Sequence, residues 1–198
     1  AVGGNALTAN TTASNNVAVG YSALAANTTG TDNVAVGDSA GDAVSTGSDN
    51  TFIGDNAGGA TTTASDNTAV GSSALLSNST GASNVAIGAY ALDAATTANG
   101  NSAVGYNALG AATTGNYNVA MGYQALLANV DGDRNVAVGS SALQALDPAS
   151  NVDMYNVAVG HNAGLAVTTG VQNTLIGGEA GGTITTASNN TAVGYSAL

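Results

Sequence analysis

The 198-residue sequence contains no cysteine and no tryptophan, one proline, one histidine, and a single Lys or Arg, Arg134. Without cysteine there is neither a disulfide framework nor a thiolate metal site. With one base set against 12 acids and a formal charge of −11, nucleic acid and anionic membrane surfaces are excluded as partners, because nothing is available to neutralise phosphates. No apolar run approaches the roughly 20 residues that a membrane-spanning helix needs. No basic leader opens the chain, so any export signal is expected to lie outside it. One histidine with one base also leaves no catalytic triad or zinc site to assemble within a chain, so an enzyme is not expected, and neither is a cofactor. Charged residues are only 7% of the chain while 44% are hydrophobic, the opposite of a disordered composition.

What the sequence does have is one sentence rewritten many times. Counting Asn16 as position 1, the block restarts at Asn33, Asn50, Asn67, Asn84, Asn101, Asn118, Asn135, Asn156, Asn173 and Asn190. The step is 17 residues except once, where "ALDPASNVDMY" adds four residues near 147–155 and marks a loop. The chain therefore reads as a single repeat domain over 1–198, about twelve coils long.

Val, Thr or Ser at position 2 and a large apolar residue at position 4, with a small residue between, form a period-2 pattern and predict a short strand. By size, position 4 is expected to fill the core: Val19, Val36, Ile53, Val70, Ile87, Val104, Met121, Val138, Val159, Ile176 and Val193. Position 5 is glycine in every block, suited to a sharp bend: Gly20, Gly37, Gly54, Gly71, Gly88, Gly105, Gly122, Gly139, Gly160, Gly177 and Gly194. Ala and Leu at positions 8 and 9, followed by "TTG" or "STG", predict a second strand and a second turn. Two short strands and two turns in 17 residues make one coil of an all-β parallel β-solenoid. Helix-pair repeats are opposed by the glycine in every block, and propeller blades need about 40 residues each.

Position 9 is Leu in most blocks but Gly at 41, 58, 164 and 181, and in those four blocks position 12 carries Val44, Thr61, Val167 or Ile184. The exchange predicts that positions 9 and 12 share one layer of the core. These four blocks form two adjacent pairs, 33–66 and 156–189, and the second block of each also puts a large residue, Phe52 or Leu175, where the others have Ala.

Other features admit ordinary readings. His161 stands in a column that elsewhere holds Tyr or Asp, and reads as a surface residue. Asn129, Asp131 and Asp133 alternate around a glycine and are the one calcium candidate, against a solvated turn, because the downstream Glu of such loops is missing. The sequons at Asn10, Asn27, Asn78 and Asn189 read as turn positions. Tyr rows without basic neighbours are not a stacking platform for bases, but they suit a protein or glycan contact. Thr and Ser pairs at positions 13 and 14 form hydroxyl ladders that make ice binding a rival function, although alternation lets only one of each pair face outward.

"NVAIG" at 84–88, "NVAVG" at 16–20, 33–37, 135–139 and 156–160, and "NTAVGYSAL" at 190–198 resemble the repeats of the YadA-like head domain of trimeric autotransporter adhesins. Similar arrays occur in phage tail-fibre-like proteins. The resemblance implies a left-handed β-roll, three chains side by side, and an adhesive head or tail-fibre shaft in an extracellular place, on a bacterial surface or a virion. A host-surface, glycan or matrix ligand would follow for a head. Smooth apolar surface from the Ala columns at positions 3, 10 and 11 supports a homotrimer on its own account. Neither end of the sequence carries an atypical capping block, so a segment of a longer fibre, or end-to-end self-association into a single-stranded filament, is expected.

Overall fold

The computed structural model describes residues 1–198 as strands, turns and bends, with no helix. Eleven three-residue strands, from Val17–Val19 to Thr191–Val193, make one parallel sheet whose order follows the sequence. Like sits beside like: Val17 pairs Val34, Ala18 pairs Ala35 and Val19 pairs Val36. The register survives the insertion, since Val136 pairs Val157 across it. Val2 adds a further bridge to Val19. The protein is a parallel β-solenoid of stacked 17-residue coils, as the repeat predicts.

The insertion folds back onto its own coil edge. Val152–Asp153 pairs in parallel with Gly132–Asp133, and Pro148 and Met154 are buried. A Cβ on Gly132 would stand 2.8 Å from Met154 Sδ and 3.1 Å from Pro148 Cγ, so the absence of a side chain at Gly132 is what lets the two pack there.

The phase of the strand is the reverse of the sequence expectation. In every strand of the large sheet the middle residue is buried and its neighbours are not, as in Val85–Ile87. Position 3 forms the core: Ala18, Ala35, Phe52, Ala69, Ala86, Ala103, Ala120, Ala137, Ala158 and Leu175 are fully buried. Val36, Val70, Val104 and Val138 are only half-buried, and Val19, Ile53, Ile87, Met121, Val159, Ile176 and Val193 are exposed. The coil is narrow, and its interior is already occupied by the Leu at position 9 and the Ala at position 8, so only an Ala fits opposite them. Apolar residues on both faces leave the alternation without a preferred side, and size points to the wrong one.

Each coil has one strand in the large sheet, where two were expected. Positions 7 and 9 have left-handed backbones, φ 55° at Ser22 and 51° at Leu24, which no strand accommodates. Coils still join there: the Leu24 N–H donates to Ala40 O at 3.1 Å and the Ala26 N–H to Asp42 O at 3.0 Å. A leucine in this conformation is strained, and Leu24, Leu75, Leu92, Leu109, Leu126 and Leu143 are all fully buried, so packing holds them.

Where position 9 is glycine, a neighbour occupies the space. A Cβ on Gly41 would come within 2.7 Å of Phe52 Cδ2, and one on Gly181 within 2.6 Å of Leu175 Cδ2. Val44, Thr61 and Val167 are fully buried beside them and Ile184 half-buried. The expected exchange between positions 9 and 12 holds, and position 3 takes part in it.

Candidate interaction surface

Glycine at position 5 has φ from 128° to 144° in every coil. On Gly71 a Cβ would lie 2.6 Å from both the carbonyl carbon and oxygen of Gly88 in the next coil. Backbone stacks on backbone at this corner, and no side chain fits between.

The asparagine that opens each block has a role the sequence reading missed. Asn33, Asn50, Asn67, Asn84, Asn101, Asn118, Asn135, Asn156 and Asn173 are fully buried. Each side-chain oxygen accepts the backbone N–H of the next Asn, 3.0 Å from Asn67 to Asn84. Each side-chain amide except that of Asn135, in the coil with the insertion, donates across its own coil, 2.7 Å from Asn84 to Ala98 O. An amide is needed because the site must accept and donate at once. The signal was the invariance of the column, which marked only the block boundary.

A second set, at position 12, clamps a turn. Asn27 donates from Nδ2 to Gly30 O at 2.9 Å, and its Oδ1 accepts the Gly30 N–H at 3.1 Å. Asn10 and Asn78 do the same, which agrees with the turn reading of three sequons. Asn129 repeats the clamp on Gly132, so its oxygen is engaged. Asp131 accepts from Thr113 and Thr114, and Asp133 accepts the Asn116 N–H at 2.6 Å. The three calcium-candidate side chains thus serve different partners and do not converge, and no group of three or more His, Cys, Asp or Glu is placed to hold a metal ion. His161 is exposed, as expected of its column.

The Thr and Ser pairs lie in a bend rather than a strand, and their two hydroxyls split between the next coil and solvent. Position 13 turns its hydroxyl to the next coil: Thr28 Oγ1 donates to Ser45 O at 3.0 Å and Thr62 Oγ1 to Ser79 O at 3.1 Å. Position 14 faces solvent in Thr12, Thr29, Thr46, Thr63, Thr80 and Thr97. The file is then interrupted, where Thr114 Oγ1 donates to Asp131 at 2.6 Å, and resumes only at Thr169 and Thr186 beyond the insertion.

The broadest outward feature is the face of the large sheet, carrying positions 2 and 4. The rows at positions 17 and 6 flank it. In one coil Tyr117, Met121 and Tyr123 are exposed and Val119 half-exposed, while Asn118 and Ala120 between them are buried. The Tyr106 and Tyr123 rings stack, 5.6 Å apart at 12°, and Tyr90 meets Tyr106 edge-on at 5.9 Å. On the other flank the Arg134 guanidinium lies 5.4 Å from the Tyr117 ring centre and 5.9 Å from that of Tyr155. Arg134 pairs with Asp153, which also accepts the Tyr155 hydroxyl at 3.0 Å. Burial raises the carboxyls of Asp42 and Asp93, both at position 10, above the ordinary 3.8; repulsion from Asp38 adds to the effect on Asp42.

The fold and these outward rows define the protein as a β-solenoid repeat protein. Compared with family models, characterised proteins and solved structures, the chain matches none of them.

Proposed function

We propose that the chain is an extracellular, non-catalytic fibre segment that associates side by side as a homotrimer and serves as an adhesive head or a spacer shaft on a bacterial surface or virion. The observation that carries this reading is the outward sheet face, where Val, Ile, Met and Thr, with Ser once at Ser102, occupy positions 2 and 4 over eleven strands. Ten strand spacings by the roughly 10 Å that a three-residue strand spans give about 480 Å², and the flanking rows at positions 17 and 6 widen the contact towards the ~800 Å² that each partner contributes to a stable interface. An apolar strip of a few hundred Å² is of the size that often marks an interaction site. Lateral association thus rests on positions 2 and 4, since position 3 is interior. The resemblance to adhesin heads and tail fibres supplies the three-fold stoichiometry and the setting. Composition, with one His, no Cys and one base, supports a role without catalysis.

Ice binding is the second reading, favoured by the six-coil file of exposed threonines from Thr12 to Thr97. A single file offers one rank of hydroxyls, whereas a lattice match wants at least two, so the fibre reading is preferred. Light scattering of the folded chain tests the fibre reading: a mass near three times 18.7 kDa supports it, and a folded species of 18.7 kDa removes the trimer. Binding to host cells, glycans or matrix proteins then separates head from shaft.

A further inference from the structure

Copies lying side by side must choose an axial register, and the repeat makes that choice ambiguous. Positions 2 and 4 carry nearly the same side chains in every coil, so two faces slid by one coil, about 4.8 Å, meet almost identical partners. A contact that fixes the register has to come from side chains that do not repeat.

Such side chains are gathered in the coils between Asn84 and Tyr155. Position 17 has a left-handed backbone in every coil from Asn15 to Asn189, with φ between 54° and 66°. Asn, Asp and Gly accept that conformation readily and fill much of the column. Tyr117, Arg134 and Tyr155, in three successive coils, do not, and such strain persists where another requirement outweighs it. That requirement is not a flat ligand. The facing surfaces of the Tyr117 and Tyr155 rings are taken by Arg134, and Tyr106 and Tyr123 cover each other. All four rings remain about half exposed, with Tyr117 58% exposed. Tyr, Arg and Met are the residue types that anchor protein interfaces, and Met121 stands between the two flanks. In the coils from Asn16 to Asp66 the same flanks carry Asp32, Asp49 and Asp66 on one side and Asp38 and Asp55, beside Tyr21, on the other. These would repel their counterparts in a copy, so close contact is drawn to the aromatic coils.

We propose that the Tyr117–Arg134–Tyr155 stack, with the Tyr106–Tyr123 pair across the sheet face, is the contact that locks a second copy of this chain in register. The inference rests on the lateral association proposed above, and adds the place that sets it.

With no native cysteine, a nitroxide placed through Thr63→Cys, at the exposed position 14 and away from the sheet face, reports the spacing between copies by pulsed dipolar spectroscopy. The otherwise native protein should give one narrow distance. The variant Tyr117→Asn/Arg134→Asn/Tyr155→Asn, which installs a residue the same column already uses, should melt no lower and give a broad or multi-peaked distribution. Tyr106→Ser/Tyr123→Ser, which leaves the strained column alone, should broaden it likewise. Distributions as narrow as native in both variants would overturn the proposal, as would a native distribution already broad. Absence of any coupling in native protein of single-chain mass would remove the lateral association itself, a failure seen before either variant is made.

Discussion

The side-chain oxygen of Asn67 accepts both the backbone N–H and the side-chain amide of Asn84, at 3.0 and 3.2 Å. Asn84 passes the same two bonds to Asn101, at 3.0 and 3.3 Å. A narrow coil cannot bury much apolar area, and this chain of amides satisfies the polar groups that remain inside. Replacing Asn84 by Ala strands the Ala98 carbonyl and the Asn101 N–H, each a buried group without a partner. Chemical denaturation should show a loss of about 2–4 kcal/mol, with an exposed Asn such as Asn151 tolerant of the same change.

Gly71→Ala and Gly178→Ala form a contrasting pair. The first forces a Cβ against Gly88 at φ 136°, and should cost about 3 kcal/mol or more by combining backbone strain with overpacking. The second would meet only the edge of the exposed Tyr195 ring at 3.4 Å. Its melting temperature should stay near native.

Phe52 occupies the space left by two glycines, Gly41 and Gly58. Phe52→Ala should cost about 3–5 kcal/mol through the cavity it opens. Adding Gly58→Leu and Thr61→Ala rebuilds the Ala, Leu and Ala combination of Ala86, Leu92 and Ala95, and should recover part of the loss. Thr61→Val alone should be neutral or stabilising, since the Thr61 hydroxyl is buried without a partner.

Asp42 and Asp93 are held above their ordinary 3.8, chiefly by desolvation. An acid whose folded pKa is raised favours folding below 3.8, and that contribution fades as pH climbs through the raised value. At neutral pH both carboxylates therefore weigh against the fold. Asp93→Asn should melt higher than native at pH 7, with the difference shrinking as pH falls towards 3.8.

The period, the parallel stacking and the glycine corner were legible because each shows as an invariant or regularly spaced column. The strand phase was not. Val85-Ala86-Ile87 is apolar on both faces, so burial was decided by the depth of the coil, which depends on Leu92 and Ala91 arriving from the far side. The second strand failed for a local reason, since nothing in "SAL" announces left-handed backbones at Ser22 and Leu24. The Tyr117–Arg134–Tyr155 stack was hidden because its members are 17 and 21 residues apart and become neighbours only once the coils are aligned.

Ile87 separates the accounts most directly, because it was read as core and is 40% exposed on the sheet face. Sedimentation equilibrium of Ile87→Asp beside native protein, with the melting temperature of each, gives the decisive comparison. A native mass of about three times 18.7 kDa is expected, with a variant that remains folded while its mass falls towards that of one chain. A variant that unfolds would return position 4 to the core, and a folded variant with undiminished mass would show that the outward face is not where the copies meet.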